Sequence, residues 1–303
     1  MQMNKLHLTV LICFLCVAHF RASEAQVRKG AFDIVFTERC PESNLQAIFE
    51  RMQYTPKTNG SLGNDYRIDE ETYSVYVPSD YTADTAYGLL VWISASERSD
   101  MPKKWDALMD KHKLIWIGAH RSGNRHKVPG RRMPLALDAV FNMKRMYHID
   151  TDRIYVSGAS GGGRVASILA MHYPDIFSGG IFVVGVEYWE AIPVTGKPGQ
   201  FWKPMPKPQS KYLALAKERG RYVLLTGDND GNRLQTKDYY ENGYQQTLQH
   251  VLYLQVPDMW HEMPPREWYE KAIVFLDTVT TKTKDPTERQ SSGQSSQIPQ
   301  DRR

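Results

Sequence analysis

The sequence predicts an α/β protein built on a mostly parallel, doubly wound sheet with helices on both faces. Three observations carry this expectation. Short β-branched segments alternate with stretches of helical periodicity along most of the chain. Two strand segments, 89–94 and 180–185, are almost wholly apolar, as strands covered on both faces must be. A glycine-flanked serine stands at 158–162, where one strand should hand over to a helix.

In chain order, a helix is expected at 44–53, then strands at 73–77 and 89–94. A helix at 102–112, opened by Pro102, leads to a strand at 114–118. A second Pro-initiated helix, 134–147, precedes a strand at 154–157 and a helix of small residues at 161–172. After strand 180–185 the rhythm breaks. Residues 186–209 carry Pro193, Pro198, Pro204, Pro206 and Pro208 and read as a long irregular loop, in which Trp189, Phe201 and Trp202 argue for order. The pattern resumes with a helix at 210–219, a strand at 222–226, a helix at 238–249, a strand at 251–256 and a helix at 265–278.

Both ends of the chain read differently from this middle. Lys5, the apolar run 8–18 and Ser23-Glu24-Ala25 make 1–25 a secretory signal peptide, too short in its apolar part to span a bilayer. The competing reading is a core strand or helix. Residues 280–303 are rich in Ser, Gln, Thr, Lys and Pro and should be disordered, because they bury too little surface to offset their ordering entropy. One folded domain is therefore expected at 26–279, in a secreted or periplasmic protein without stable membrane insertion once the leader is removed. Of 303 residues, 41% are hydrophobic and 24% charged, so a large core needs no disulfide staples. Cys13 and Cys16 fall in the leader, which leaves Cys40 as a buried structural thiol rather than a disulfide partner. Losing Lys5, Arg21 and Glu24 with the leader lowers the formal charge from +4 to +3, too little and too dispersed for a nucleic-acid partner.

The segment Arg153-Ile-Tyr-Val-Ser-Gly158-Ala-Ser160-Gly161-Gly162 is a strand, a G-x-S-x-G turn and a helix start. A serine hydroxyl is a weak nucleophile and must stand exposed on a tight turn where a base can reach it. The helix beginning at Gly161 aims free N–H groups and its positive dipole end at the same place, where an oxyanion would form. A phosphate loop would need Gly-Lys-[Ser/Thr], and a dinucleotide loop a G-x-G-x-x-G in context; neither is present. In this architecture an acid and a histidine follow the nucleophile in chain order. Thr226-Gly-Asp228-Asn-Asp230 follows a strand; Asp230 is chosen as the acid, with Asp228 as the alternative. His250 precedes strand 251–256 and would sit at its far end, whereas His261 follows it and would share the rim with Ser160. A second oxyanion donor is expected after strand 89–94, from the N–H of Ala95 or Ser96, with Ala95 preferred. No metal or organic cofactor is implied.

With these residues in place, the chain resembles the α/β-hydrolases, and within them the esterases grouped with poly(3-hydroxybutyrate) depolymerases. The resemblance spans 73–276 and rests on Tyr87-Gly-Leu-Leu-Val, Gly123-Asn124, Asp152-Arg-Ile-Tyr-Val-Ser-Gly, the serine turn, Tyr173-Pro174-Asp-Ile-Phe and His261-Glu-Met-Pro. It implies carboxylic ester hydrolysis through an acyl-enzyme, with Ser160, Asp230 and His261 in the matching positions. The early strand ends in Ile93-Ser94-Ala95 instead of that group's Leu-His-Gly. Rival readings are a peptidase of the same fold and a secreted binding protein without turnover. The basic stretch His120–Arg132 reads either as a rim that attracts anionic small-molecule or oligomeric esters through Arg121 and Arg125, or as a loop of internal ion pairs. Trp189, Trp202 and Trp260 read either as walls of an acyl or sugar pocket or as core residues, and Trp260, beside His261, is chosen as the substrate contact.

Overall fold

The computed structural model describes residues 27–54 and 66–278. The expected leader, 1–25, and tail, 280–303, lie outside the described residues. The chain runs through β1 (Gly30–Val35), α1 (Leu45–Met52), β2 (Thr72–Val77), β3 (Tyr87–Ile93), α2 (Asp106–Lys111) and β4 (Leu114–Ala119). It continues through α3 (Met133–Met146), β5 (Ile149–Ala159), α4 (Gly161–His172) and β6 (Gly179–Val183). A small hairpin, β7 (Ile192–Pro193) and β8 (Phe201–Trp202), leads to α5 (Ser210–Arg219) and β9 (Arg221–Gly227). The last elements are α6 (Arg233–Tyr239), a one-turn α7 (Gln245–Thr247), β10 (Val251–Val256) and α8 (Arg266–Leu276).

Eight strands form one sheet in the order β1-β2-β4-β3-β5-β6-β9-β10. The first two neighbour pairs, β1–β2 and β2–β4, are antiparallel and every later pair is parallel. Alternation explains why the parallel strands look apolar throughout. In β3, Leu89, Val91 and Ile93 join the core on the side of α3 and α4, while Leu90 and Trp92 join the core under α2 and α8. Strands β4 and β9 divide in the same way, so each carries two buried faces.

Several boundaries differ from the expectations. Strand β1 was not foreseen: only Phe32 and Ile34 point inward, and its place depends on antiparallel pairing with β2. Strand β5 extends well beyond 154–157 through the polar run Asp150–Arg153. Strand β6 ends at Val183, not 185, because Val184 turns to φ 45°. Helix α2 starts at Asp106 instead of 102, since Lys104 at φ 67° and a Trp105 N–H to Pro102 carbonyl turn come first. In place of one helix at 238–249, α6 starts at Arg233 and widens into a π-turn, Tyr240–Tyr244, where Gly243 lies against the Tyr188 ring. The irregular 186–209 stretch is anchored: buried Asp238 accepts bonds from Thr195 N–H at 3.0 Å and Trp202 Nε1–H at 2.8 Å.

Candidate active site

Because β3, β5, β6, β9 and β10 run parallel, the loops at their carboxyl ends meet on one rim. Ser160 follows β5 on a turn with φ 55° and ψ −122°. A non-glycine residue seldom adopts that conformation, and here it lifts the hydroxyl clear of the strand. The turn closes only because its neighbours lack side chains. A Cβ on Gly162 would collide with the Ile93 carbonyl oxygen, and one on Gly185 with the Ser160 carbonyl oxygen. Ser160 N–H donates to Val183 O at 2.8 Å, which ties the turn to β6.

His261 follows β10, and Asp230 follows β9. His261 Nε2 lies 2.8 Å from Ser160 Oγ, and His261 Nδ1 lies 2.7 Å from Asp230 Oδ1. The Asp230 side chain is fully buried, whereas that of His261 is 44% exposed. Two further donors hold the carboxylate: Thr226 Oγ1–H reaches Oδ2 at 2.7 Å and Asn232 N–H reaches Oδ1 at 3.0 Å. Asp228 takes another course and accepts from Gln255 Nε2. With Nδ1–H donating to the carboxylate, Nε2 presents a lone pair to the serine hydroxyl, the tautomer a general base needs.

Opposite the histidine, Gly161 opens α4, so its N–H has no partner within the helix. Across from it runs the loop after β3. Ser96 N–H donates to Ser94 Oγ at 3.0 Å, which leaves Ala95 N–H as the donor of that pair without an acceptor among the described residues. Asn124 joins the two sides. Its N–H donates to Ala95 O at 3.0 Å, and its side-chain amide lies where a Cβ of Gly161 would be.

The remaining candidates fall less tightly around Ser160. Trp260 is 66% exposed beside His261. Arg121 donates to Glu70 O and lies 3.2 Å from Glu71, and Arg125 approaches Glu97 at 3.6 Å. Arg131, in the same basic stretch, is buried against Glu71 at 2.5 Å. Trp189 is buried against Tyr188 and Tyr244, as a core residue. Burial and the neighbouring Glu42 push the Cys40 thiol up to about 12, which makes it a poor nucleophile. Three contributors escaped the sequence reading: Thr226, Asn232 and Asn124. The Asp-x-Asn spacing of Asp230 and Asn232 is a turn signature that could have revealed one of them. The others depend on approaches between distant loops.

The sequence profile of the prolyl oligopeptidase family (Peptidase_S9) matches residues 133–282. A poly(3-hydroxyalkanoate) depolymerase C of Paucimonas lemoignei is 31% identical over 104 residues, 30% of this chain and 25% of that protein. The matched stretch thus spans a quarter of that relative's length. Among solved structures, a ferulic acid esterase superposes with TM-score 0.52 at 12% identity, over 82% of this chain and 96% of its own. The S-formylglutathione hydrolase of Staphylococcus aureus superposes with TM-score 0.51 at 14% identity, over 68% and 92%. Likeness at these identities speaks for the fold.

Proposed function

We propose that this chain, an α/β-hydrolase by fold, is a secreted serine carboxylesterase that cleaves small-molecule or oligomeric esters through an acyl-enzyme on Ser160. The observation that carries the reading is the unbroken hydrogen-bond chain from Asp230 through His261 to Ser160. In the proposed reaction Ser160 Oγ attacks the ester carbonyl carbon while His261 Nε2 takes its proton. Buried Asp230 stabilises the imidazolium. The oxyanion of the tetrahedral intermediate lies between the Gly161 and Ala95 N–H groups. His261 then protonates the departing alkoxide, and the acyl-enzyme remains. Water, deprotonated by the same imidazole, attacks the acyl carbon; as the bond from that carbon to Ser160 Oγ breaks, the imidazolium returns the proton to Oγ and the acid leaves. The reaction needs no metal or organic cofactor.

The names of the depolymerase relative, the ferulic acid esterase and the S-formylglutathione hydrolase support ester or thioester bonds as the target class. Trp260 and Arg125, both exposed, are proposed to meet substrate; Arg121 is already engaged by Glu70 and Glu71. The leader-like segment 1–25 supports export, and among the described residues no helix is long and apolar enough to cross a membrane. The profile match favours a second reading, a serine peptidase with the same triad.

One experiment tests the reading. The protein is incubated with a fluorophosphonate probe, alongside the Ser160→Ala variant. Labelling lost in the variant is expected. No labelling of the unsubstituted protein, under conditions that label a control esterase, would favour a binding protein. Labelling that survives Ser160→Ala would remove Ser160 as nucleophile. Turnover of p-nitrophenyl esters but not of aminoacyl or dipeptidyl p-nitroanilides is expected; the reverse would establish the peptidase.

A further inference from the structure

Arg132 is a buried arginine whose identified partners are main-chain carbonyls. It closes the π-turn Val128–Arg132 ahead of α3 and is 4% exposed. Its Nε donates to Ser122 O at 2.7 Å and its Nη2 to Ser94 O at 2.8 Å. Both acceptors are neutral carbonyls, in the loops after β4 and β3. Arg131 beside it pairs with Glu71, but among the described residues no carboxylate lies within ion-pairing distance of Arg132. Burial lowers the Arg132 guanidinium to about 10, so it stays charged at neutral pH. A buried charge held by neutral carbonyls alone loses its hydration with no ion-pair partner to offset that cost.

The position of the two bonds suggests what the charge is for. Ser94 C=O and Ala95 N–H belong to one peptide unit. That unit is planar and trans, so its C=O and N–H point in opposite directions. The donor to Ser94 O therefore determines where Ala95 N–H points. The next unit is held as well, since Asn124 N–H donates to Ala95 O at 3.0 Å. A cationic donor on the carbonyl also polarises the peptide and makes its N–H a stronger donor.

We propose that Arg132 is a positioning residue for the oxyanion pocket: its guanidinium, bonded to Ser94 O, orients and polarises the Ala95 N–H that meets the oxyanion. The inference rests on the serine-esterase reading above. It makes an arginine in the basic stretch part of the catalytic frame, acting through a peptide group without touching substrate.

The test compares Arg132→Met, which removes charge and both bonds, with Arg132→Lys, which keeps the charge but loses the two-point fork. Active sites are counted by phosphonate titration run to completion, and kcat and KM for p-nitrophenyl acetate are expressed per titrated site. Deleting an oxyanion donor outright costs roughly 100- to 1000-fold in kcat. Misaiming one should cost about 10- to 100-fold in Arg132→Met, with KM changed less than about threefold and partial recovery in Arg132→Lys. The Ki of a trifluoromethyl ketone, which forms a tetrahedral adduct, should rise by the same factor as kcat/KM falls. A merely structural staple would lower the melting temperature and the titratable fraction while leaving kcat per site and the ketone Ki unchanged. That result overturns the proposal. If Arg132→Met does not fold, Arg132→Lys carries the same comparison. Absence of Ser160 labelling in the unsubstituted protein would instead defeat the esterase reading itself, so the two failures are distinguishable.

Discussion

Replacing Asp230 by Asn isolates the proposed acid of the triad with little damage to the fold. Asp230 Oδ1 receives His261 Nδ1–H and Asn232 N–H, and Oδ2 receives the Thr226 hydroxyl. An asparagine can keep its oxygen on the first pair and turn its NH2 toward Thr226, whose hydroxyl then accepts instead of donating. The histidine tautomer is thereby preserved, and the chief loss is charge. When Ser160 gives up its proton, the imidazolium no longer faces a carboxylate. At a charge separation of about 4 Å and an effective dielectric constant near 20, that attraction is about 4 kcal/mol. The expected fall in kcat is roughly a thousandfold, with KM little changed and stability lowered by about 1–2 kcal/mol. Stopped-flow hydrolysis of p-nitrophenyl acetate, normalised to titrated sites and paired with thermal unfolding, reads all three. Asp228→Asn is the control. Asp228 is bonded to Gln255, so its variant should stay within a few-fold of the parent. If Asp228→Asn abolished turnover while Asp230→Asn kept kcat within about tenfold, the assignment built on the hydrogen-bond chain would be wrong.

Two further predictions concern acid stability and the substrate rim. Burial lowers His172, at the end of α4, from 6.5 to about 4; its Nε2 faces Pro206 O at 3.1 Å and its Nδ1 has no partner. The unfolded chain thus takes up a proton below pH 6.5 that the folded protein refuses until about pH 4, so stability is lost as pH falls through that window. The loss attributable to His172 approaches about 3 kcal/mol, and His172→Gln should flatten the difference in urea unfolding between pH 7 and pH 4.5. An equal slope in both proteins would contradict it. Arg125, 83% exposed and only loosely paired with Glu97, should matter for substrate charge. Arg125→Ala is expected to raise KM for anionic esters about two- to fivefold at low salt and to leave neutral esters unchanged; equal changes on both would remove Arg125 from the rim.

Much of the architecture was legible because it follows from short-range rules. The apolar runs of β3 and β6 announce strands with two covered faces, and the alternation of strands and helices announces a parallel sheet. Where the sequence misled, a distant partner decided. Strand β1 exists because β2 offers it an antiparallel edge, although Phe32 and Ile34 alone make a weak strand pattern. Strand β6 stops early because Val184 turns to φ 45°, after which Gly185 lies close against the Ser160 carbonyl, an approach invisible from 180–185 itself.

The site divides along the same line. By itself the sequence pointed to the proposed nucleophile turn and to the chain order of the proposed serine, acid and histidine, since a strand-to-helix turn free of side chains requires particular residues at consecutive positions. It left Asp228 and Asp230 as rivals because both end the same strand. Only the tertiary structure separates them: Thr226, Asn232 and His261 converge on Asp230, and Gln255 draws Asp228 away. The same holds for Arg132. Its basic neighbourhood reads as surface charge in one dimension, and only folding brings the carbonyls of Ser94 and Ser122 within reach of its guanidinium. Local chemistry is written in adjacent residues, whereas a carboxylate's partners and a buried charge's purpose depend on which loops the sheet brings together.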